Sequence, residues 1–307
     1  MRRVLVTGAS GFVGRTTLAA LARMPTEVVA LARAIPATSP PGVRWIAADL
    51  LDPAARDRAI ADAACDTCLH LAWDVGPGYW TAAANLDWLA ASAMLLRNFA
   101  AHGGRRFVAA GTCAEYDWSG AEGGALREDS PRRAATLYGA AKSALWDVAD
   151  RFADATGLDA AWGVVFHVAG PGERPGRLLP SIVTSLDKGE PAACTPGTQL
   201  QDPIDVRDLG AAFAALALSG LRGRVNFGGG APLSVADLSR RIAARCGRPD
   251  LLRLGALPPR AGEPPRLVPD LTRMRDELGF APAYGRDTTI ADAVDWQRAH
   301  AGAGTTT

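Results

Sequence analysis

Thr7-Gly8-Ala9-Ser10-Gly11-Phe12-Val13-Gly14 is the stretch whose reading decides the fold. It lies between an apolar, β-rich run at 3–7 and a run with helical spacing at 12–24. Three glycines at such a junction serve a pyrophosphate. Gly8 permits the tight turn, Gly11 lets the backbone approach the phosphates, and Gly14 lets the helix pack closely on the sheet. The free N–H groups and the positive dipole end of the helix then face the anion. Ser10, Phe12 and Val13 complete this loop as candidate cofactor contacts.

The next strand, 27–32, decides which dinucleotide is expected. An acid at its end accepts from a ribose 2′-hydroxyl, whereas a basic residue suits a 2′-phosphate. The chain reads Ala30-Leu31-Ala32-Arg33, with no acid. Arg33 favours NADP, used as NADPH, with NAD as the alternative. The bland reading of Arg33 is a solvated loop residue, and Arg15 is a second candidate for the phosphate.

Outward from the loop, short β-rich runs at 43–47, 67–71, 106–110 and 160–167 alternate with helical patterns at 80–102 and 134–156. This alternation predicts an α/β fold, a Rossmann-type doubly wound parallel sheet with a smaller C-terminal substrate domain. The texture changes at Gly170-Pro171-Gly172-Glu173-Arg174-Pro175-Gly176, and 257–269 carries a second proline cluster. The expected division is 1–169 for the dinucleotide domain, with 199–227 returning to it, 170–198 and 228–300 for the substrate domain, and a tail at 301–307. A helix at 205–219 and a strand at 224–227 belong to the returning segment.

The 307 residues carry a formal charge of +1, which gives no electrostatic reason to expect nucleic acid or an anionic membrane as partner. No apolar run is long enough to span a bilayer, and no signal peptide is expected. Five scattered cysteines, Cys65, Cys68, Cys113, Cys194 and Cys246, argue for a reducing cytoplasm. Cys65 and Cys68 have C-x-x-C spacing, but no second pair completes a metal site, and no metal is expected.

Only two of the 33 basic residues are lysines, Lys142 and Lys188. Lys142 ends Tyr138-Gly139-Ala140-Ala141-Lys142, and positions four apart share a helix face. A phenol and an ammonium so placed make a general acid–base pair. Lys188 lies in a polar turn and reads as solvated.

The glycine loop with Tyr138-x-x-x-Lys142 resembles a short-chain dehydrogenase/reductase, and the wider pattern resembles its extended branch, the NAD-dependent epimerase/dehydratase family, which acts mainly on nucleotide sugars. Asp49-Leu50 matches the family's adenine-holding position and His70-Leu71-Ala72-Trp73 the strand end beside the nicotinamide. Gly111-Thr112-Cys113-Ala114-Glu115-Tyr116 matches the segment with the catalytic hydroxyl, here Thr112. Gln201-Asp202-Pro203-Ile204-Asp205-Val206-Arg207-Asp208 and Arg260-Ala261-Gly262-Glu263 match substrate-domain segments. Asn85 resembles a position that supports the active-site backbone.

The resemblance implies that Thr112, Tyr138 and Lys142 are catalytic, and that Lys142 also holds the nicotinamide ribose. It implies substrate contacts at Thr112, Cys113, Glu115, His167, Arg177, Gln201 and Arg260, with His167 also beside the cofactor. Two positions depart from the family. Gln201 stands where many members place an arginine on the diphosphate, with Arg177 or Arg207 as compensation, and His167 stands for an asparagine. His167 either contacts substrate or satisfies a backbone group. Trp73, Tyr79 and Trp80 either line the pocket or anchor loops, and Glu115 and Asp117 either bind sugar hydroxyls or are solvated loop acids. His70 reads as a buried strand residue.

These expectations lead to an NADPH-dependent ketoreductase acting at C4 of a nucleotide-activated deoxy sugar. The alternatives are a nucleotide-sugar 4-epimerase with tightly held NAD and a reductase of a non-sugar carbonyl. The intact Thr112, Tyr138 and Lys142 argue against a catalytically dead sensor. Family habit adds a homodimer through the helices at 80–102 and 134–156.

Overall fold

The structure, a computed structural model, describes residues 1–119, 124–259 and 262–301. The glycine stretch joins β1 (Arg2–Thr7) to α1 (Phe12–Leu21). The chain continues through β2 (Thr26–Ala32), β3 (Val43–Ala47), α2 (Pro53–Ala63), β4 (Thr67–His70), α3 (Ala84–Ala101), β5 (Arg106–Thr112), a single 3-10 turn at Cys113–Glu115, α4 (Leu137–Thr156) and β6 (Asp159–Val165). Beyond lie β7 (His167–Ala169), α5 (Leu178–Asp187), β8 (Ala192–Cys194), β9 (Leu200–Gln201), β10 (Pro203–Asp205), α6 (Val206–Leu218) and β11 (Gly223–Phe227). The last elements are β12 (Leu233–Ser234), α7 (Val235–Arg245), β13 (Leu252–Leu254), β14 (Arg266–Leu267) and α8 (Arg286–His300).

Seven strands form one sheet in the order β11-β6-β5-β4-β1-β2-β3, and every neighbouring pair in it is parallel. The chain moves outward from β1 through β2 and β3, then returns to the other side of β1 with β4. That reversal opens a crevice at the C-terminal ends of β1 and β4, where open α/β sheets bind ligands. Val4, Leu5 and Val6 are wholly buried, as are Cys68 and Leu69, because helices cover both faces. Leu18 and Leu21 of α1 pack with Leu209, Phe213 and Leu216 of α6 on one face. Ile60 of α2, Leu95 and Phe99 of α3, and Leu145 and Trp146 of α4 cover the other.

α2 has no counterpart among the elements read from the sequence. Its buried residues, Arg56, Ala59, Ile60 and Ala63, keep helical spacing, but only Ile60 is strongly apolar, so the stripe is faint in the sequence. Its start was written locally: the Asp52 carboxylate accepts from the amides of Ala54 and Ala55, and Pro53 takes the first helical position. α3 begins at Ala84 and not at 80. The Asn85 amide donates to the carbonyls of Tyr79 and Ala82, folding the preceding segment back toward the crevice.

A smaller core lies in the later part of the chain, where Leu179, Ile182 and Val183 of α5 meet Leu238 and Ile242 of α7 and Ile290 and Val294 of α8. The segment 202–208 binds it to the sheet through three buried acids. Asp202 accepts from the amides of Gly230 and Ala231, Asp208 from those of Ala283 and Tyr284, and Asp205 from the Thr289 hydroxyl. Among the described residues no helix is long and apolar enough to cross a membrane.

Candidate active site

The first structural test of the crevice is whether its glycine loop fits a dinucleotide. Gly8 has φ +66°, a left-handed conformation that β-carbons resist, and a β-carbon there would lie 2.7 Å from the Ala72 nitrogen. One on Gly14 would lie 2.1 Å from the Gly8 carbonyl oxygen, so the start of α1 rests directly on the loop. Gly11 caps α1 without any side-chain hydrogen bond, leaving the first amides of the helix free for an anion. These features suit a pyrophosphate. Arg33 is exposed just past β2, and Asp49 is exposed past β3, where its carboxylate accepts from the Leu51 amide; Leu50 is buried.

The neighbouring strand end is locked by a buried imidazole. His70 Nδ1 is 2.7 Å from the Thr7 hydroxyl and Nε2 is 2.8 Å from the Ser92 hydroxyl, joining β1, β4 and α3. The Thr7 oxygen also accepts from the Ala72 amide. Burial, aided by the charge of Lys142, pulls His70 down to about 3, so it stays neutral and structural.

Tyr138 and Lys142 lie in the first two turns of α4, whose Thr136 cap accepts from the Gly139 amide. A β-carbon at Gly139 would meet the Ala114 carbonyl oxygen at 2.2 Å. Its absence lets α4 press against the turn after β5, which brings Tyr138 to Thr112 and Lys142 to the Ala110 carbonyl. Burial pushes the Tyr138 phenol well above its ordinary value; Tyr79 adds to the rise and a hydrogen bond with Thr112 opposes it. Lys142 is 3% exposed, donates to the Ala110 carbonyl at 2.9 Å, and is pulled down to about 7 by burial against the opposing charge of Glu115.

Aromatic rings wall this pair. Tyr79 and Trp80 meet the Tyr138 ring edge-on at 4.9 and 5.8 Å, and Trp73 does so at 6.4 Å. Trp118, which the sequence did not single out, closes on Trp80 at 6.3 Å. Trp73, Tyr79 and Trp80 therefore surround the catalytic candidate.

Two expected substrate contacts are corrected. Glu115 is wholly buried: one oxygen accepts from the Thr112 amide at 2.8 Å and the Trp162 indole at 2.9 Å, the other from Arg224 at 2.6 Å. It faces the fold and anchors the turn that carries Thr112. The Cys113 thiol points into the core toward the Phe166 carbonyl and is pushed up to about 12 by burial. Arg207, offered as compensation for Gln201, is also committed elsewhere. It pairs with Asp205 and Asp292 and stacks on Tyr284 with its guanidinium 3.6 Å from the ring centre.

Arg177 is exposed at the start of α5, 5.9 Å from the Tyr79 ring centre. Its charge reaches both His167, which burial pulls down to about 4, and Glu173, which burial pushes up to about 7. His167 Nδ1 and Glu173 Oε2 are buried without a partner, and Glu173 is a residue that the sequence reading passed over. Gly172 of the same loop stands against Phe12 and Arg15 of α1. Gln201 is half-buried in β9. Arg260 lies outside the described residues.

A glycine loop fit for a pyrophosphate, with a buried phenol and ammonium at the same sheet edge, defines the class: a dinucleotide-dependent oxidoreductase. Residues 4–228 match the NAD dependent epimerase/dehydratase family, and the chain belongs to it. It is an NAD(P)-dependent enzyme of the extended short-chain dehydrogenase/reductase type. It is 29% identical to a dTDP-6-deoxy-L-talose 4-dehydrogenase (NAD(P)(+)) of Kitasatospora kifunensis over 95% of this chain and 93% of that one. It is 34% identical to a dTDP-4-dehydro-6-deoxy-D-allose reductase of Streptomyces bikiniensis, a match spanning 44% of this chain and 42% of that protein. The solved structure of MoeE5 in complex with UDP-glucuronic acid and NAD superposes with a TM-score of 0.81 at 29% identity, over 96% of this chain and 99% of that one.

Proposed function

We propose that this protein is an NADPH-dependent ketoreductase that reduces the C4 keto group of a nucleotide-activated deoxy sugar. The observation that carries the reading is the set of groups around Tyr138: a phenol, the Thr112 hydroxyl and the Lys142 ammonium. Elimination of water needs a further acid or base, and the one carboxylate of the Thr112 turn is spent on Arg224. That favours plain carbonyl reduction over dehydration. Arg33, with no acid at the end of β2, supports NADPH, and the names of the two curated relatives support a 4-keto-6-deoxy sugar.

The bound dinucleotide supplies the hydride. Thr112 hydrogen-bonds the reacting oxygen and aligns it with Tyr138. Tyr138 gives the proton, the phenol being in its protonated form at neutral pH. Lys142, in its ammonium form, steadies the phenolate left behind. Residues 170–198 and 228–300 receive the nucleotide sugar, with His167, Arg177 and Gln201 among its contacts. We also infer a homodimer through α3 and α4, which expose Leu86 (56%) and Val148 (49%).

The test is NADPH consumption with dTDP- or UDP-linked 4-keto-6-deoxyhexoses, alongside mass analysis of any cofactor that purifies with the protein. Reduction that falls about 10²–10⁴-fold in Tyr138→Phe is expected. Co-purified NAD with interconversion of 4-epimers and no net NADPH use would replace the reading with an epimerase. Activity confined to non-nucleotide carbonyls would remove the sugar from it.

A further inference from the structure

Trp73 lies three residues past the end of β4, and its indole is held on three sides. Its Nε1 donates to the Asn85 side-chain oxygen at 2.9 Å, and the Asn85 nitrogen is in turn fixed by the carbonyls of Tyr79 and Ala82. Trp88 stacks on it at 6.1 Å. On its face lies Lys142, with Nζ 3.9 Å from the ring centroid. The same ammonium reaches the Ala110 carbonyl.

From this arrangement we propose that Trp73 is a positioning residue for Lys142, its Asn85-pinned indole carrying the buried ammonium and holding it beside Tyr138. The inference rests on reading Tyr138 and Lys142 as the acid–base pair. An ammonium removed from water loses hydration, and the negative face of an indole restores part of what was lost. The other titratable groups facing Lys142 give limited help. Glu115, from the turn after β5, favours the charge but is paired with Arg224; His70 of β4 is neutral; Tyr138, on the same helix, is protonated at neutral pH. The Trp73 ring is the contact that adds to the Ala110 carbonyl.

The chain's two lysines make the test direct. Lys188 is exposed, so Lys188→Arg leaves one lysine, whose 13C-labelled ε-carbon reports the titration of Lys142 by NMR in the full-length protein. Trp73→Leu in that background is expected to lower the Lys142 midpoint by about one pH unit, with Trp73→Phe in between. An unchanged or raised midpoint in the leucine variant overturns the proposal, as does a phenylalanine variant that falls as far as leucine. Should either variant fail to fold, the Lys188→Arg protein alone decides. The Lys142 ε-methylene protons are expected upfield of an ordinary lysine through the indole ring current, and ordinary shifts would overturn the contact.

These readouts need no substrate, so they stand apart from the outcome for Tyr138→Phe. With an active substrate, the alkaline limb of kcat/KM in Trp73→Leu moves to lower pH with the midpoint. A merely structural role for the ring would lower activity and leave that limb in place.

Discussion

Lys142 is a liability to stability as well as a tool of the site. In the unfolded chain its amine titrates near ~10.4, whereas in the fold burial brings it to about 7. Between these values the unfolded state binds the extra proton, so this residue makes stability rise with pH across that window. Below about 7 the fold bears the full cost of a buried charge. Lys142→Met is therefore expected to melt higher than the natural chain, by more at pH 6 than at pH 10, while losing turnover. Thermal unfolding followed by circular dichroism at both pH values checks this, and an equal gain at both would contradict it.

Glu115 shows what a sequence conceals at the same scale. Thr112-x-x-Glu115 is a capping box with both of its hydrogen bonds formed, a local motif legible in the sequence although Glu115 was expected on substrate. Its partner was not legible, because Arg224 lies 109 residues away. Removing one member of a wholly buried pair strands the other's charge. Glu115→Ala is expected to cost about 3–5 kcal/mol in urea unfolding, and Glu115→Leu with Arg224→Met to recover most of it.

At the scale of elements, the phosphate loop, the parallel strands and the Tyr138–Lys142 face of α4 could all be read from local spacing. Contacts between elements could not. The close seating of α4 on the Thr112 turn depends on the bare Gly139, which looks in sequence like any small helix residue. Gly139→Ala is expected to keep the fold and the cofactor but lower kcat by about 10²-fold, since a displacement near 1 Å misaligns the reacting groups. Steady-state kinetics with cofactor titration checks this, and loss of cofactor binding without loss of kcat would contradict it. Arg207 escaped the reading for a similar reason. Its aspartate two residues away is visible in sequence, but Asp292 and Tyr284 arrive from the far end of the chain.

For the molecule as a whole, Leu86 and Val148 set apolar side chains in solvent on two adjacent helices. If two copies meet there, Leu86→Asp with Val148→Asp should give a monomer in sedimentation velocity without lowering the melting temperature of the protomer. A natural chain that already sediments as a monomer would remove the dimer. The sheet itself carries a temporal consequence. Its outer strand β11 pairs with β6, yet roughly 60 residues separate Val165 from Phe227. At a synthesis rate of about 5–20 residues per second, the edge of β6 waits on the order of 3–12 s for its neighbour. During translation that bare edge is a template for wrong pairing. A longer delay holds apart Glu115 and Arg224, 109 residues away, so the turn bearing Thr112 receives its anchor only when the ribosome has delivered the last strand of the sheet.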